Sequence, residues 1–203
     1  MKIYMMRHGE TDWNIIRRLQ GRSDIPLNEE GRRLARVTAE ALADVPFTRI
    51  YTSPLIRAKE TAMIIKGNRD IPVIEEERIQ EISFGAFEGF ICAEDNYTIP
   101  DPDFINFFKN PEKYVAPDGA EEIETLCNRT TDFLQELVHT TAYRDDIILI
   151  STHGAALRGL LSSVTMNSVA EFWKGGVHKN CAVTILEVHD GKIKLLEEGK
   201  IYY

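Results

Sequence analysis

Ile147-Ile148-Leu149-Ile150-Ser151-Thr152-His153-Gly154 is the stretch on which the fold turns. Four consecutive aliphatic side chains leave no polar face. A strand here must be covered on both sides, as a central parallel strand is. Past His153, Leu157, Leu160, Leu161 and Val164 recur at helical spacing on one face. Strand, polar turn and helix make the repeating unit of an α/β sheet.

The same unit recurs upstream. Ile3 to Met6 reads as a short buried strand ending just before Arg7-His8, and Leu34, Val37, Ala41 and Leu42 mark a helix. Phe47 to Thr52 predicts a second strand. Ser53-Pro54 then offers an N-cap serine and a proline at the first helical position. That helix runs through Arg57 towards Ile65 and stops at Gly67, and Ile71 to Ile74 supplies a third strand. Ile123, Leu126, Cys127, Thr130, Leu134, Leu137 and Val138 trace a long amphipathic helix. Ala182 to Val188 and Lys192 to Leu196 predict a hairpin turning at Asp190-Gly191. The expected fold is an α/β class, three-layer α/β/α sandwich with a mostly parallel central sheet and a C-terminal antiparallel hairpin. A lid is expected at about residues 90–118, where proline, aspartate and aromatics replace periodicity. Residues 1–203 are read as one domain.

Composition narrows the function. The formal net charge of −8 argues against a nucleic-acid partner, which needs a basic face. No apolar run approaches a membrane span. The start Met-Lys-Ile-Tyr-Met-Met-Arg-His carries no signal-peptide core, so a cytoplasmic location is expected. Cys92, Cys127 and Cys181 are odd in number and scattered, which implies reduced thiols rather than a disulfide frame or a zinc cluster. No metal and no cofactor is expected, because no cluster has ligand spacing.

Three features fall where an α/β sheet places its active site, at the carboxyl ends of strands. His8 follows the first strand, Arg57 sits in the first turn after the second, and His153 follows the Ile147–Ile150 run. Gly9 and Gly154 allow close approach of a ligand to the backbone. Helix N-termini add free amides and a favourable dipole for an anion. Arginines, histidines and helix ends in one cleft make a phosphate site.

The motifs around these residues are specific. Arg7-His8-Gly9-Glu10-Thr11 is followed by Trp13-Asn14 and Gln20-Gly21. Ser53-Pro54-Leu55-Ile56-Arg57-Ala58-Lys59-Glu60-Thr61-Ala62, Gln80-Glu81-Ile82-Ser83-Phe84-Gly85 and Thr152-His153-Gly154 come next in order. This ordered set, spanning nearly the whole chain, resembles the histidine phosphatase superfamily in its phosphoglycerate-mutase-like branch. Glu10-Thr11-Asp12 after the His-Gly pair points away from the acid-phosphatase branch. The resemblance implies that His8 attacks phosphorus and forms a phosphohistidine. It implies that Arg7, Arg57 and His153 hold the phosphoryl oxygens, and that Asn14, Gln20, Gly21 and Gly154 complete the substrate site. Glu81 would protonate the leaving oxygen and later take a proton from water. Glu10, Glu88, His139, His178 and His189 are read as structural.

The lid bears on the choice of reaction. Between Gly89 and Gly119 only Lys109 and Lys113 face six carboxylates, Glu94, Asp95, Asp101, Asp103, Glu112 and Asp118. Mutases of this family resemble one another in carrying extra cations there, so this lid is expected to repel a second phosphate. Phe90, Tyr97, Phe104, Phe107, Phe108 and Tyr114 suit an apolar or aromatic leaving group. Gly119-Ala120-Glu121 stands where many relatives have Gly-Glu-Ser. The expected function is a phosphatase hydrolysing small phosphomonoesters and releasing inorganic phosphate. The alternatives are a cofactor-dependent phosphoglycerate mutase and a catalytically inactive phosphate-binding or scaffold protein. The complete set His8, Arg57, Glu81 and His153 speaks against the last.

Overall fold

The computed structural model describes residues 1–203. The order is β1 (Lys2–Arg7), α1 (Asp12–Ile15), α2 (Glu29–Ala41), β2 (Arg49–Thr52), α3 (Ile56–Lys66) and β3 (Val73–Glu75), then the short β4 (Cys92–Ala93) and β5 (Asn96–Tyr97). α4 (Asn106–Lys109), α5 (Ile123–His139), β6 (Ile147–Thr152), α6 (Gly154–Thr165), β7 (Val183–His189) and β8 (Lys192–Lys200) complete the chain. The main sheet has the order β3-β2-β6-β1-β7-β8. β6 lies between β2 and β1 and is parallel to both, with Arg7 opposite Thr152 and Thr52 opposite Ser151. β7 is antiparallel to β1, and β8 to β7.

This placement explains the unbroken apolar run. Ile148 and Ile150 pack with Phe133, Leu134 and Leu137 of α5 and with Leu157 and Leu161 of α6. Leu149 points the other way, into a cluster with Leu34 and Ala35 of α2 and Ala62 and Ile65 of α3. Helices therefore cover both faces, giving the three layers. Emptying one of these fully buried leucines, as in Leu157→Ala, costs about 2–5 kcal/mol.

Three local expectations shift. α3 begins at Ile56, not at Ser53-Pro54, and its N-cap Leu55 provides no side-chain bond. Ser53 Oγ is engaged instead by His153 Nε2 (2.7 Å) and the Leu55 amide (3.3 Å). The open Ile56 amide is satisfied from afar by Asp24 Oδ1 at 2.6 Å. In α2 the inward stripe is rotated, with Leu34, Ala35 and Thr38 buried and Ala41 exposed. The final strand also continues beyond Leu196, to Lys200.

Residues 90–118 form the β4–β5 ribbon and a run of short helical turns. Their backbone is tied to the segment after α1, where Leu19 N donates to Phe90 O and Cys92 N to Arg17 O, both at 2.9 Å. Phe104, Phe107 and Tyr114 are buried in a cluster with Ile82, Phe84, Leu126 and Phe172. Most of the lid aromatics thus fasten this segment to the body of the protein. Phe107 and Phe108 also reach the cleft described below.

Candidate active site

The carboxyl ends of β1, β2 and β6 lie side by side, so the turns after them meet. His8, directly after β1, is 3% exposed. Its Nδ1–H donates to the carbonyl of Gly9 at 2.6 Å, leaving Nε2 as an unengaged lone pair. Burial holds the ring well below its ordinary range, and the charges of Arg57 and Arg7 add to the effect. The backbone of this turn is pinned by His8 N to Thr152 O (2.8 Å), Gly9 N to Thr61 Oγ1 (3.0 Å) and Asn180 Nδ2 to His8 O (3.0 Å).

Arg57, in the first turn of α3, is fully buried. Nη2 donates to Gly21 O at 2.7 Å, Nη1 to Ser23 O at 2.8 Å, and Nε to His153 Nδ1 at 3.2 Å. Burial pulls this guanidinium down to about 10, with Glu81 opposing, so it stays charged at neutral pH. Gly21 has φ of +51°, a left-handed conformation that favours glycine, and a β-carbon there would displace the Glu88 carboxylate. Glu88 accepts from Arg22 N (2.9 Å) and Ser23 Oγ (2.6 Å) and so holds the turn after Gly21.

His153 departs from expectation. It is fully buried, and both ring nitrogens are engaged inside the protein, Nδ1 by Arg57 and Nε2–H with Ser53 Oγ. It stands behind Arg57, its ring centroid 5.2 Å from that of His8, and is not part of the cleft wall. In this arrangement it orients Arg57 rather than offering a free donor to a phosphoryl oxygen.

Glu81 approaches from the loop after β3. Oε1 accepts the amides of Ile82 (3.0 Å) and Ala156 (2.9 Å), and Oε2 that of Ala155 (3.2 Å). Two of the first amides of α6, those of Ala155 and Ala156, are therefore occupied by this carboxyl group rather than free for an anion. A β-carbon on Gly154 would lie 3.7 Å from Glu81 Oε2 and 3.8 Å from Arg7 Nε, so the two groups flank that glycine. Arg7 Nη1 donates to the carbonyl of His178 at 2.6 Å, while its Nε is buried without a partner. Asn14 Oδ1 accepts from Thr11 N (3.0 Å), Thr11 Oγ1 (3.1 Å) and Asn180 Nδ2 (3.3 Å). With the oxygen so engaged, the amide NH₂ is the end left for a ligand. Gln20 is buried with Oε1 unpartnered.

Arg7, His8, Asn14, Gln20, Gly21, Arg57, Glu81 and Gly154 line one cavity of about 110 Å³, with Phe84, Phe107, Phe108, Trp173 and Val177 among its apolar walls. The chemistry converges on one point: an imidazole lone pair, guanidinium groups, amide side chains and a carboxyl. Sequence reasoning missed the supports. Arg129 of α5 donates to the carbonyls of Arg78 (2.7 Å), Gln80 (2.8 Å) and Glu81 (3.2 Å), and pairs with Glu121 at 2.6 and 2.8 Å. Its one visible signal was a charge placed three residues from Leu126, beside the apolar stripe. His178 was read as structural, yet its carbonyl aims Arg7.

A family model for the histidine phosphatase superfamily (branch 1) matches residues 3–200, and the chain belongs to that family. Its fold is similar to that of YhfR of Bacillus stearothermophilus, with a TM-score of 0.90 and 35% identity over 98% of this chain and 97% of that one. It is 37% identical over 163 residues to a Bacillus subtilis phosphatase named PhoE, 80% of this chain and 77% of that one. It is 29% identical over 197 residues to phosphoserine phosphatase 1 of Hydrogenobacter thermophilus, 97% of this chain and 91% of that one. Phosphoglycerate mutases are also among its relatives.

Proposed function

We propose that the protein is a phosphatase that hydrolyses small phosphomonoesters through a phosphohistidine on His8. One observation carries the reading. The bond from His8 Nδ1 to Gly9 O leaves a neutral Nε2 in a cavity that Arg7 and Arg57 also line. In the first step Nε2 attacks phosphorus, the ester P–O bond breaks, and the leaving oxygen takes a proton carried by Glu81. In the second, water gives that proton back to Glu81, its oxygen bonds to phosphorus, and the P–N bond breaks to release phosphate. Arg7 and Arg57 stabilise the charge gathering on the phosphoryl oxygens. No step calls for a metal.

The transfer to water, rather than back to a sugar acid, is supported by the phosphatase names of the relatives. The lid does not bear on it as expected. Of its six carboxylates only Glu94 lines the space beside the cleft. The test is a short incubation with a ³²P-labelled phosphomonoester. Acid-labile, base-stable label should appear on the protein and be absent from His8→Ala, which should lose turnover by about 10³-fold or more. Undiminished hydrolysis by His8→Ala would end the proposal. Fast interconversion of 2- and 3-phosphoglycerate with negligible phosphate release would make the protein a mutase instead.

A further inference from the structure

The loop between α6 and β7 meets the cleft at three residues. Trp173 and Val177 belong to the cavity wall, and the carbonyl of His178 accepts from Arg7 Nη1 at 2.6 Å. That is the one hydrogen bond the Arg7 side chain makes within the chain, and its Nε is buried without a partner. The angle of this guanidinium in the cleft therefore depends on where the loop puts one carbonyl. Local structure does not fix that place. Residues 172–182 contain no helix and no strand, and the adjacent Gly175 and Gly176 have φ of +89° and +79°. Two such glycines leave a backbone loose unless distant contacts hold it.

The contacts come from an ion pair behind the loop. Arg158 of α6 is 1% exposed, a burial that arginine adopts only when paired. Its Nε donates to the carbonyl of Phe172 at 2.8 Å and its Nη1 to Glu198 Oε1 of β8 at 2.7 Å. The first bond holds the start of the loop. Glu198 reaches its middle and its end. A β-carbon on Gly175 would lie 3.1 Å from Glu198 Oε1 and 3.6 Å from Arg158 Nη1. The same carboxylate oxygen is 3.7 Å from His178 Nε2. Thr184 Oγ1 lies 3.0 Å from that ring nitrogen and accepts from Gly199 N at 3.0 Å. A buried ion pair is a poor source of net stability, because desolvation offsets the attraction. What it supplies is direction: a planar fork and a carboxylate fix the segments they join at set angles.

Resting on the phosphatase reading, in which Arg7 stabilises the phosphoryl group, we propose that Arg158 and Glu198 are a positioning pair for Arg7. Neither residue lines the cavity. They set the course of the loop from Phe172 to His178. Through the His178 carbonyl they set the angle at which Arg7 meets the phosphoryl oxygens. A small misplacement of such a group lowers the rate without removing any group that touches the substrate.

A double-mutant cycle tests this, read as kcat/KM for 4-nitrophenyl phosphate below the melting temperature of each variant. We expect Arg158→Met to lower kcat/KM by about tenfold or more when Arg7 is present, and by about twofold or less in Arg7→Met. Arg158→Lys should recover part of the loss, because it keeps the charge facing Glu198 without the fork. A merely structural role would give the same loss in both backgrounds, and that result overturns the proposal. So does full activity in Arg158→Met. If Arg158→Met does not fold, Glu198→Ala enters the same cycle, since that side chain is 33% exposed and water can reach the vacated place. It should lower kcat/KM by about threefold or more with Arg7 present, and equal losses in both backgrounds overturn the pair. The same cycle on Kd for inorganic phosphate needs no turnover and separates the two proposals. Phosphate binding with coupled losses but no hydrolysis by the wild type removes the phosphatase reading and leaves the pair. Hydrolysis with uncoupled losses does the reverse.

Discussion

The state of the His8 imidazole is set by burial, one short bond and two charges. Donation from Nδ1 to the Gly9 carbonyl selects the tautomer, and burial beside Arg57 and Arg7 disfavours a second proton. The ring should therefore stay neutral well below the ordinary imidazole range. In a ¹³C- or ¹⁵N-labelled sample, its signals should show no titration between pH ~8 and ~5.5. A midpoint near the ordinary value would mean that the ring is solvated and that the neutral-nucleophile argument is wrong. The motif Arg7-His8-Gly9 was plain in the sequence. The tautomer was not, because it depends on how the turn folds the Gly9 carbonyl back onto its neighbour.

At the scale of elements, the loop after β3 shows how a long helix controls a short loop. Glu81 lies in no regular element. Arg129, projecting from α5, ties the carbonyls of Arg78, Gln80 and Glu81 to the carboxylate of Glu121. Arg129→Ala would leave that mostly buried carboxylate with only the longer contact to Arg22 at 3.4 Å, at a cost of up to about 3–5 kcal/mol. If Glu81 protonates the leaving group, its displacement should matter most for poor leaving groups. Below the melting temperature of the variant, kcat for an alkyl phosphate should fall by about 10–100-fold, while kcat for 4-nitrophenyl phosphate falls only a few-fold. Equal losses on both substrates would show that Arg129 serves the phosphoryl site as a whole and not Glu81. The element pattern itself was legible, since β-strands and amphipathic helices follow periodicity. What failed was Ser53-Pro54 as a helix start, because a tertiary partner, His153, took the serine that local propensity assigned to the cap.

At the scale of the whole molecule, burying three histidines in neutral form couples stability to pH. The backbone carbonyl of His178 accepts from Arg7 Nη1, while its own ring is buried against Thr184 and pushed down to about 4, mainly by burial, against the pull of Glu198. Unfolded, this ring takes up a proton near 6.5. Folded, it stays neutral to about 4. Acid therefore favours the unfolded chain, and stability falls as pH drops through that interval, by up to roughly 3 kcal/mol for this group. His8 and His153, also held well below their ordinary range by burial, act with the same sign. Glu76, held low by its bond to Arg78, extends the loss to lower pH, as the carboxylate it keeps ionised becomes protonated. Urea midpoints should decline steadily from pH ~7.5 to ~4.5, and His178→Gln should flatten the decline. A midpoint independent of pH over this range would contradict the burial of these rings as neutral groups.

By itself the sequence determined the layered α/β fold and the identity of the groups at the strand ends, because apolar periodicity and motif order are local properties written along the chain. Ile147 to Ile150 had to be central, and His8, Arg57 and His153 had to follow strands. Only the tertiary structure decided what those groups face. It turned His153 onto Arg57 and gave the Ala155 and Ala156 amides of α6 to Glu81. It left most lid carboxylates outside the path to the cleft. Charge counted along a segment says nothing of direction. Direction is set by contacts between residues far apart in sequence, such as Arg57 with Gly21 and His153, and these exist only once the sheet has brought its strand ends together.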